Sequence, residues 1–510
     1  MLKSGCILLF AILLTSPAFA EGFDGIQPAS PFAPKPMPAN TIALPIKKAT
    51  LTHNSTHNQY VIAFNRFMQS NVKSAYADFK ILIETMENSD YAYMKMAENM
   101  ANIGFFNLSD LAVSKIEDKK LSAYLEDDIK IYYSPSHKLK QDDEVYLGEV
   151  FSNITYNDQS REATSELVKN IDLMKNSDYA NYIAALGYLK SNDFISARKY
   201  IDIAIDMNRQ NLNYKKLQAE ILSQGKKTKD AIKMVASIKS KKLYSISFIQ
   251  KVNSLEQYVL YKTKKDYSEK MYHLGYYYYY EKEYVKALRT LQGALSTKKK
   301  HNKDVYALLS RVYIDTQDYE KAQDTALKAY KIDKNNSSAL MVLGDLEYRV
   351  GNYKDALKYY KDAESNDKST FEYSVKVAQA YEKLGKNNKA TEIYERILKV
   401  YSDCYVAYYK VALADKSKEL PYLKKAIAIN PSYKDAWIDL GRYEIERKNY
   451  YQAKKYLGVA NYIDEKDFRY YYYQGLIAKN QGMKQIAKSY FEKSLLLNPD
   501  YQPAKEELSI

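Results

Sequence analysis

Six alanines return at a near-constant interval through the second half of this 510-residue chain. They are Ala287, Ala322, Ala356, Ala390, Ala453 and Ala487, and successive spacings are 35, 34, 34, 63 and 34 residues. A small residue stands twelve positions before each: Gly275, Ser310, Gly344, Ala378, Gly441 and Gly475. A second alanine often follows seven later, at Ala294, Ala329, Ala363 and Ala460. A period of this length is the mark of a stacked-repeat architecture, in which each unit buries its apolar face only against its neighbours. Small residues twelve apart suit two helices that cross closely within one unit, with larger residues interlocking around the crossing. The short stretches between the two positions carry Gly, Asn or Asp, as in "RVGNY", "DTQDY" and "KLGKNNK", which marks a turn.

Composition agrees with an all-helical chain. Only 16 Gly and 12 Pro interrupt a sequence rich in Lys, Tyr, Ala, Leu and Glu. Seven units begin near Ser268, Lys303, Ser337, Phe371, Tyr405, Lys434 and Phe468. The fifth lacks five residues between Ala412 and Ala426, which accounts for the 63-residue interval, and Pro421 is placed to open its second helix. Upstream the pattern is looser, around Ala75, Ala112, Ala197 and Ala231, with a degenerate candidate at Tyr146–Val168. Lys239–Tyr267 has poor register and reads as a connecting helix. The organisation expected is therefore degenerate helical repeats over 59–238, a connecting helical segment over 239–267, and an array of about seven units with a C-terminal cap over 268–510.

The pattern resembles the tetratricopeptide repeat (TPR). Its best single match is "WIDLGRYEIERKNYYQAKKYLGVA", Trp437 to Ala460, where the family's tryptophan, leucine, glycine and both alanines fall in place. The resemblance implies an α-α superhelical solenoid of helical hairpins. It further implies that the second, fifth, ninth, twelfth and thirteenth positions of each unit face a concave groove. In the first unit those positions hold Tyr272, Tyr276, Tyr279 and Tyr280, part of the run "YYYYY". Later units add Arg311, Asp345, Tyr348, Arg349, Tyr409, Arg442 and Tyr472. Tyr278 falls where the family places its packing tyrosine. Tyrosine offers a wide apolar face and a polar tip at small entropic cost, which suits a contact surface. The competing reading is that AT-rich coding inflated all 53 tyrosines and the groove ones bind nothing specific. The family's carboxylate-clamp specificity needs Lys and Asn at fixed first-helix positions; here these hold Tyr272 and Tyr276, Ala307 and Arg311, and Met341 and Asp345.

The start of the chain, "MLKSGCILLFAILLTSPAFA", has a charged residue, a short apolar run and the small-x-small site Ala18-Phe19-Ala20. It predicts a signal peptide over 1–20 and an exported protein, periplasmic or secreted. An uncleaved anchor helix is the alternative. Residues 21–58 hold six of the twelve prolines and read as an extended Pro-rich linker. Cleavage leaves Cys404 alone, so stability must come from packing rather than disulfides.

Catalytic signatures are absent from the sequence, and no cofactor or metal site is expected. His53 and His57, four apart, stand in a polar tail without acidic or thiol companions. Glu126-Asp127-Asp128 and Asp142-Asp143-Glu144 read as solvated loop charges. Net charge is +14, or +13 without Lys3. Such a surface allows contact with acidic polymers or proteins, whereas nucleic acid is not expected outside the cytoplasm. The reading is a non-catalytic exported scaffold or adaptor that binds partner proteins or peptides, in cell-envelope assembly or export. Two alternatives stand beside it: a module for an acidic envelope polysaccharide, and a helper subunit of a separate enzyme. The sequence does not set the oligomeric state.

Overall fold

The computed structural model describes residues 56–85, 90–241, 246–295, 302–368, 371–401 and 404–509. The segment read as a signal peptide, residues 21–55 of the linker, and His53 lie outside the described residues, as does the side chain of His57. The fold is an all-α solenoid: 28 helices and no strand among the described residues, most of them packed in adjacent antiparallel pairs.

Each predicted unit of the array is one helix pair. The pairs are 267–280 with 284–294, 302–315 with 319–332, 337–349 with 353–366, and 372–383 with 387–400. They continue as 405–414 with 419–429, 434–446 with 450–463, and 468–480 with 484–497. Helix Gln502–Ser509 caps the stack. Side chains define the starts. Asp266, Asp318, Asn336, Asn449 and Asp467 each accept an N–H of the first turn that follows. At the turn inside the pair the chain reverses through one left-handed residue, such as Lys282, Gln317 or Gly351. A bond from Glu283 N–H to Tyr278 O (2.9 Å) or from Asp318 N–H to Tyr313 O (2.9 Å) then closes the helix end. The trimmed fifth unit is the one described hairpin without a left-handed residue. Its helices Tyr405–Ala414 and Glu419–Ile429 have 10 and 11 residues, against 13 and 14 in the next unit. Pro421 lies in the first turn of the second, where no intrahelical donor is needed.

The six period-setting alanines are buried, from Ala287 at 0 % to Ala487 at 4 % exposure, and so are Ala75, Ala112, Ala197 and Ala231 upstream. The glycines twelve residues before them are contact points. A Cβ on Gly441 would stand 2.6 Å from Leu457 Cγ, and one on Gly475 would stand 2.5 Å from the Phe491 ring. Gly441→Leu is therefore expected to destabilise the protein by about 1–3 kcal/mol. Damage should be confined to neighbouring units, because solenoid stability is a sum of local and nearest-neighbour terms. Hydrogen exchange over residues 434–497 measures this; unchanged protection there would contradict the close approach.

The upstream region also forms hairpins, at 56–85, 90–114, 141–167, 178–207 and 212–239, and the connecting helix is Ile246–Thr263. Two acidic stretches correct the sequence reading. Both are helical rather than loop, because each belongs to an amphipathic helix with one face inside the fold. Glu144 is fully buried and accepts Asn107 N–H at 2.8 Å and the Tyr76 hydroxyl at 3.3 Å; burial pushes its carboxyl up to about 7. Asp128, half-buried, is pushed up to about 7 by burial and by Glu98, against the pull of Lys425.

Helix Lys119–Tyr132 belongs to no hairpin. It packs on helices 90–102, 106–114 and 212–224, and on helix 419–429 of the trimmed unit. Around it the solenoid meets itself. Tyr91 sets its ring edge against buried Trp437 (6.0 Å, 83°), and one continuous apolar core joins residues 60–259 to residues 375–477.

Candidate functional site

The tyrosine run lies at the end of helix Tyr267–Tyr280. Successive residues of a helix are about 100° apart, so the five rings take different surroundings. Tyr272, Tyr276 and Tyr280 are spaced four apart and form one stripe of half-buried rings. Tyr276 and Tyr280 stack face to face (4.9 Å, 3°), and Tyr272 meets Tyr276 edge-on (5.9 Å, 61°). Arg311, from the first helix of the next unit, closes the stripe. Its Nη1 donates to the Tyr276 hydroxyl at 3.2 Å, and its Nη2 reaches Glu372 Oε2 at 3.4 Å, two units away. Burial works against the guanidinium charge, but the phenols of Tyr276 and Tyr279 together with Glu372 offset it and hold the group above its ordinary range. The small depression beside Arg311 is lined by Tyr272, Tyr276, Asp304, Asn336 and Ser338.

Tyr279 departs from the expected placement. It is 6 % exposed and belongs to the core with Ala287 and Leu291, whereas Tyr278 is half-buried with Lys286 Nζ 5.6 Å from its ring centre. The reason is helical phase. Tyr279 stands four residues after Gly275, on the face that receives Leu291 from the second helix of the unit. Tyr277 packs against Tyr258 of the connecting helix (5.5 Å).

Further along the array the expected groove residues are tied into the fold to different degrees. Asp345 is buried; it accepts the Tyr360 hydroxyl at 2.7 Å and pairs with Lys376 at 2.8 Å. Tyr348 meets Tyr353 edge-on (5.2 Å), and the exposed Arg349 lies 3.9 Å over Tyr319. Tyr409 is also buried, donating to Asp439 at 2.9 Å. Arg442 pairs with the same Asp439 at 3.0 Å, with Glu446 at 2.6 Å, and with Glu419 of the trimmed unit. Tyr472 is half-buried between Phe491 and Tyr501. The structure thus gathers Tyr272, Tyr276, Tyr279, Tyr280 and Arg311 in one place, and Tyr409 and Arg442 in a second.

A ladder of ion pairs between units was not foreseen. Its rungs are Arg311–Glu372, Lys376–Asp345, Lys410–Glu382, Arg442–Glu419 and Arg469–Asp435. Burial alone would raise the Asp467 carboxyl; Arg469 and Lys434 bring it down to about 2. The sequence signal was present, since Glu372, Asp435 and Arg469 are each the second residue of a unit, but a single charge does not announce its partner 34 or 61 residues away. Among the described residues, no group of three or more His, Cys, Asp or Glu is arranged to hold a metal ion, and no helix is long and apolar enough to cross a membrane.

Comparison with known proteins bears on the repeats. Tetratricopeptide repeat models match residues 307–369, 371–404 and 468–501. The human protein O-mannosyl-transferase TMTC1 is 23% identical over 210 residues, covering 39% of this chain; the chain spans about a quarter (24%) of that protein's length. Among solved structures, the APC/C hetero-tetramer Cut9–Hcn1 is similar at 12% identity, with 92% of this chain and 98% of that chain covered and a TM-score of 0.44. The type IV pilus biogenesis factor PilW is similar at 20% identity, covering 41% of this chain and 98% of its own, with a TM-score of 0.35. The matched residues coincide with the helix pairs of the second, third, fourth and seventh units, and the small-residue contacts recur in the others. This chain is a tetratricopeptide repeat protein.

Proposed function

We propose that this protein is a non-catalytic, exported scaffold whose 268–510 array holds a partner protein or peptide along its tyrosine-bearing first helices, in cell-envelope assembly or export. The observation that carries the reading is the stripe Tyr272–Tyr276–Tyr280. Three rings on one helix face stay half-buried while their neighbour Tyr279 is committed to the core. Preformed, partly exposed tyrosines of this kind suit a contact surface, because little side-chain entropy remains to be lost on binding. Pairing of Arg311, Lys376, Lys410, Arg442 and Arg469 with carboxylates compensates the cations along the ladder. That favours a protein segment over an acidic polysaccharide, which would need unspent positive charge. The likeness to the human O-mannosyl-transferase spans a quarter of that protein and gives no ground for mannosyl transfer by this chain.

The experiment is capture from the native envelope with the full chain and with Tyr276→Ala and Tyr280→Ala. A stoichiometric partner should be retained by the parent. At least one substitution should weaken it by about 2 kcal/mol, the size of an interface hot spot, without lowering the melting temperature much. Intact mass of the native chain should show Glu21 as its first residue. Undiminished capture by both variants would remove the stripe from the binding surface, and a chain still beginning at Met1 would remove the export.

A further inference from the structure

Glu144 is a buried carboxyl without a cation. It stands in the first turn of helix Gln141–Tyr156, fully buried, and forms no ion pair among the described residues. Its two partners are neutral donors. Oε1 accepts Asn107 N–H at 2.8 Å, at the start of helix Phe106–Ser114, and Oε2 accepts the Tyr76 hydroxyl at 3.3 Å, from helix Val72–Thr85. One carboxyl thus ties together the hairpins 56–85, 90–114 and 141–167.

The Asn107 side chain lies against this carboxyl and holds an acceptor with nothing to accept. Its amide nitrogen donates to the Leu139 carbonyl at 3.1 Å, which fixes the orientation of the amide. Its Oδ1 is shut off from solvent and receives no hydrogen bond. Ionised, Glu144 can only accept. Protonated, it carries an O–H, the donor that this corner lacks.

The other groups around Glu144 supply no positive charge. Helix Phe106–Ser114 brings Asp110, whose own carboxyl is pushed up by burial and by Glu126, against the pull of Lys138. Helix Asp178–Lys190 brings the buried Tyr179 phenol, close enough to feel the Glu144 charge. On helix Thr56–Met68, Arg66 is paired with Asp78. On helix Ser160–Leu167, Arg161, Glu162 and Glu166 are exposed; in the first turn of Glu144's own helix Asp142 is exposed and Asp143 half-buried. Burial is the largest influence on Glu144 and Asp110 adds to it, against the bonds from Asn107 and Tyr76, so the carboxyl is pushed up to about 7.

We infer that Glu144 is a proton-responsive clasp in the first half of the chain. With its proton it completes the polar contacts between helices Phe106–Ser114 and Gln141–Tyr156. Without it, a buried charge has no counter-ion and the Asn107 acceptor has no donor, so the joint is tighter in mild acid than above neutrality. The inference does not depend on the partner reading above. A carboxyl held above its ordinary value of 4.5 binds its proton more tightly in the folded chain. Its contribution to stability is complete below that ordinary value and is lost as pH rises through about 7.

Hydrogen exchange on the full chain from about pH 5 to about pH 8, corrected for the intrinsic pH dependence of exchange, tests the clasp. Protection over 106–114 and 141–156 should fall roughly tenfold or more across that range. Residues 434–497 of the same molecules are the reference and should change little, because Asp467 there is held down to about 2, below the range scanned. Glu144→Gln keeps an acceptor for Asn107 N–H and supplies a permanent donor, so its protection should stay near the parent's low-pH level throughout. Asp128, also pushed up to about 7, is present in both chains, and the difference between them isolates Glu144. Parent protection that is flat from about pH 5 to about pH 8 would overturn the clasp, and so would a Glu144→Gln chain that declines as steeply as the parent. Should Glu144→Gln fail to fold, Asp128→Asn takes its place: a fall that survives it supports the clasp, and a fall that it abolishes overturns it.

Discussion

Trp437→Ala is expected to be among the most damaging single substitutions in the molecule. The side chain is fully buried, its indole N–H donates to the Pro431 carbonyl at 2.8 Å, and its ring touches both Tyr456 (5.8 Å) and Tyr91 (6.0 Å). Truncation of a buried aromatic of this size costs roughly 3–5 kcal/mol through lost transfer energy and the cavity left behind. The Pro431 carbonyl would lose its partner as well. In a simple solenoid the damage would stop at the neighbouring units. Here it should reach helix Asp90–Asn102, because Tyr91 loses the surface against which it packs. A melting curve gives the size of the effect and hydrogen exchange its location. Protection lost around 434–463 but kept across 90–102 would mean that the two halves do not share this contact.

The tyrosine run supplies the second large effect and its own control. Tyr279→Ala should empty a packed site and cost roughly 3–5 kcal/mol. Tyr278→Ala should cost much less, since its ring is half in water and its Lys286 contact is worth about 0.5–1 kcal/mol at an exposed site. Thermal melts of the two variants rank them. The reverse order would mean that the helix is rotated by one residue, about 100°, from the phase described.

Much of this fold was legible because repetition amplifies weak signals. One alanine at Ala287 says little, but six in register place every hairpin of the array, and the shortened interval located the trimmed unit. The alanines at Ala75, Ala112, Ala197 and Ala231 did the same upstream with less redundancy. Helix Lys119–Tyr132 escaped because it occurs once. Its stripe of Leu121, Leu125, Ile129 and Tyr132 has helical spacing, yet no neighbour repeats it and the acidic residues between drew the eye to solvent. The groove was legible only in part. Repeat position predicts which face a residue takes to within about one residue, and one residue is the difference between Tyr278 and Tyr279. Pairings such as Arg311 with Glu372 depend on how units stack, which no single unit encodes.

The contact between Glu117 and Lys455 also sets a timetable. At a synthesis rate of about 5–20 residues per second, the 338 residues between them take roughly 20 to 70 s to appear. Hairpins form within microseconds to milliseconds, so the first half is built long before Lys455 and Lys424, which pair with Glu117 and Asp118, exist. During that interval Tyr91 lacks the Trp437 ring it later meets, and Glu117 and Asp118, on the turn held by Asp90, stand without the lysines they later pair with. The same carboxylates that later meet Lys424 and Lys455 thus keep the waiting surface soluble and disfavour its pairing with another unfinished chain.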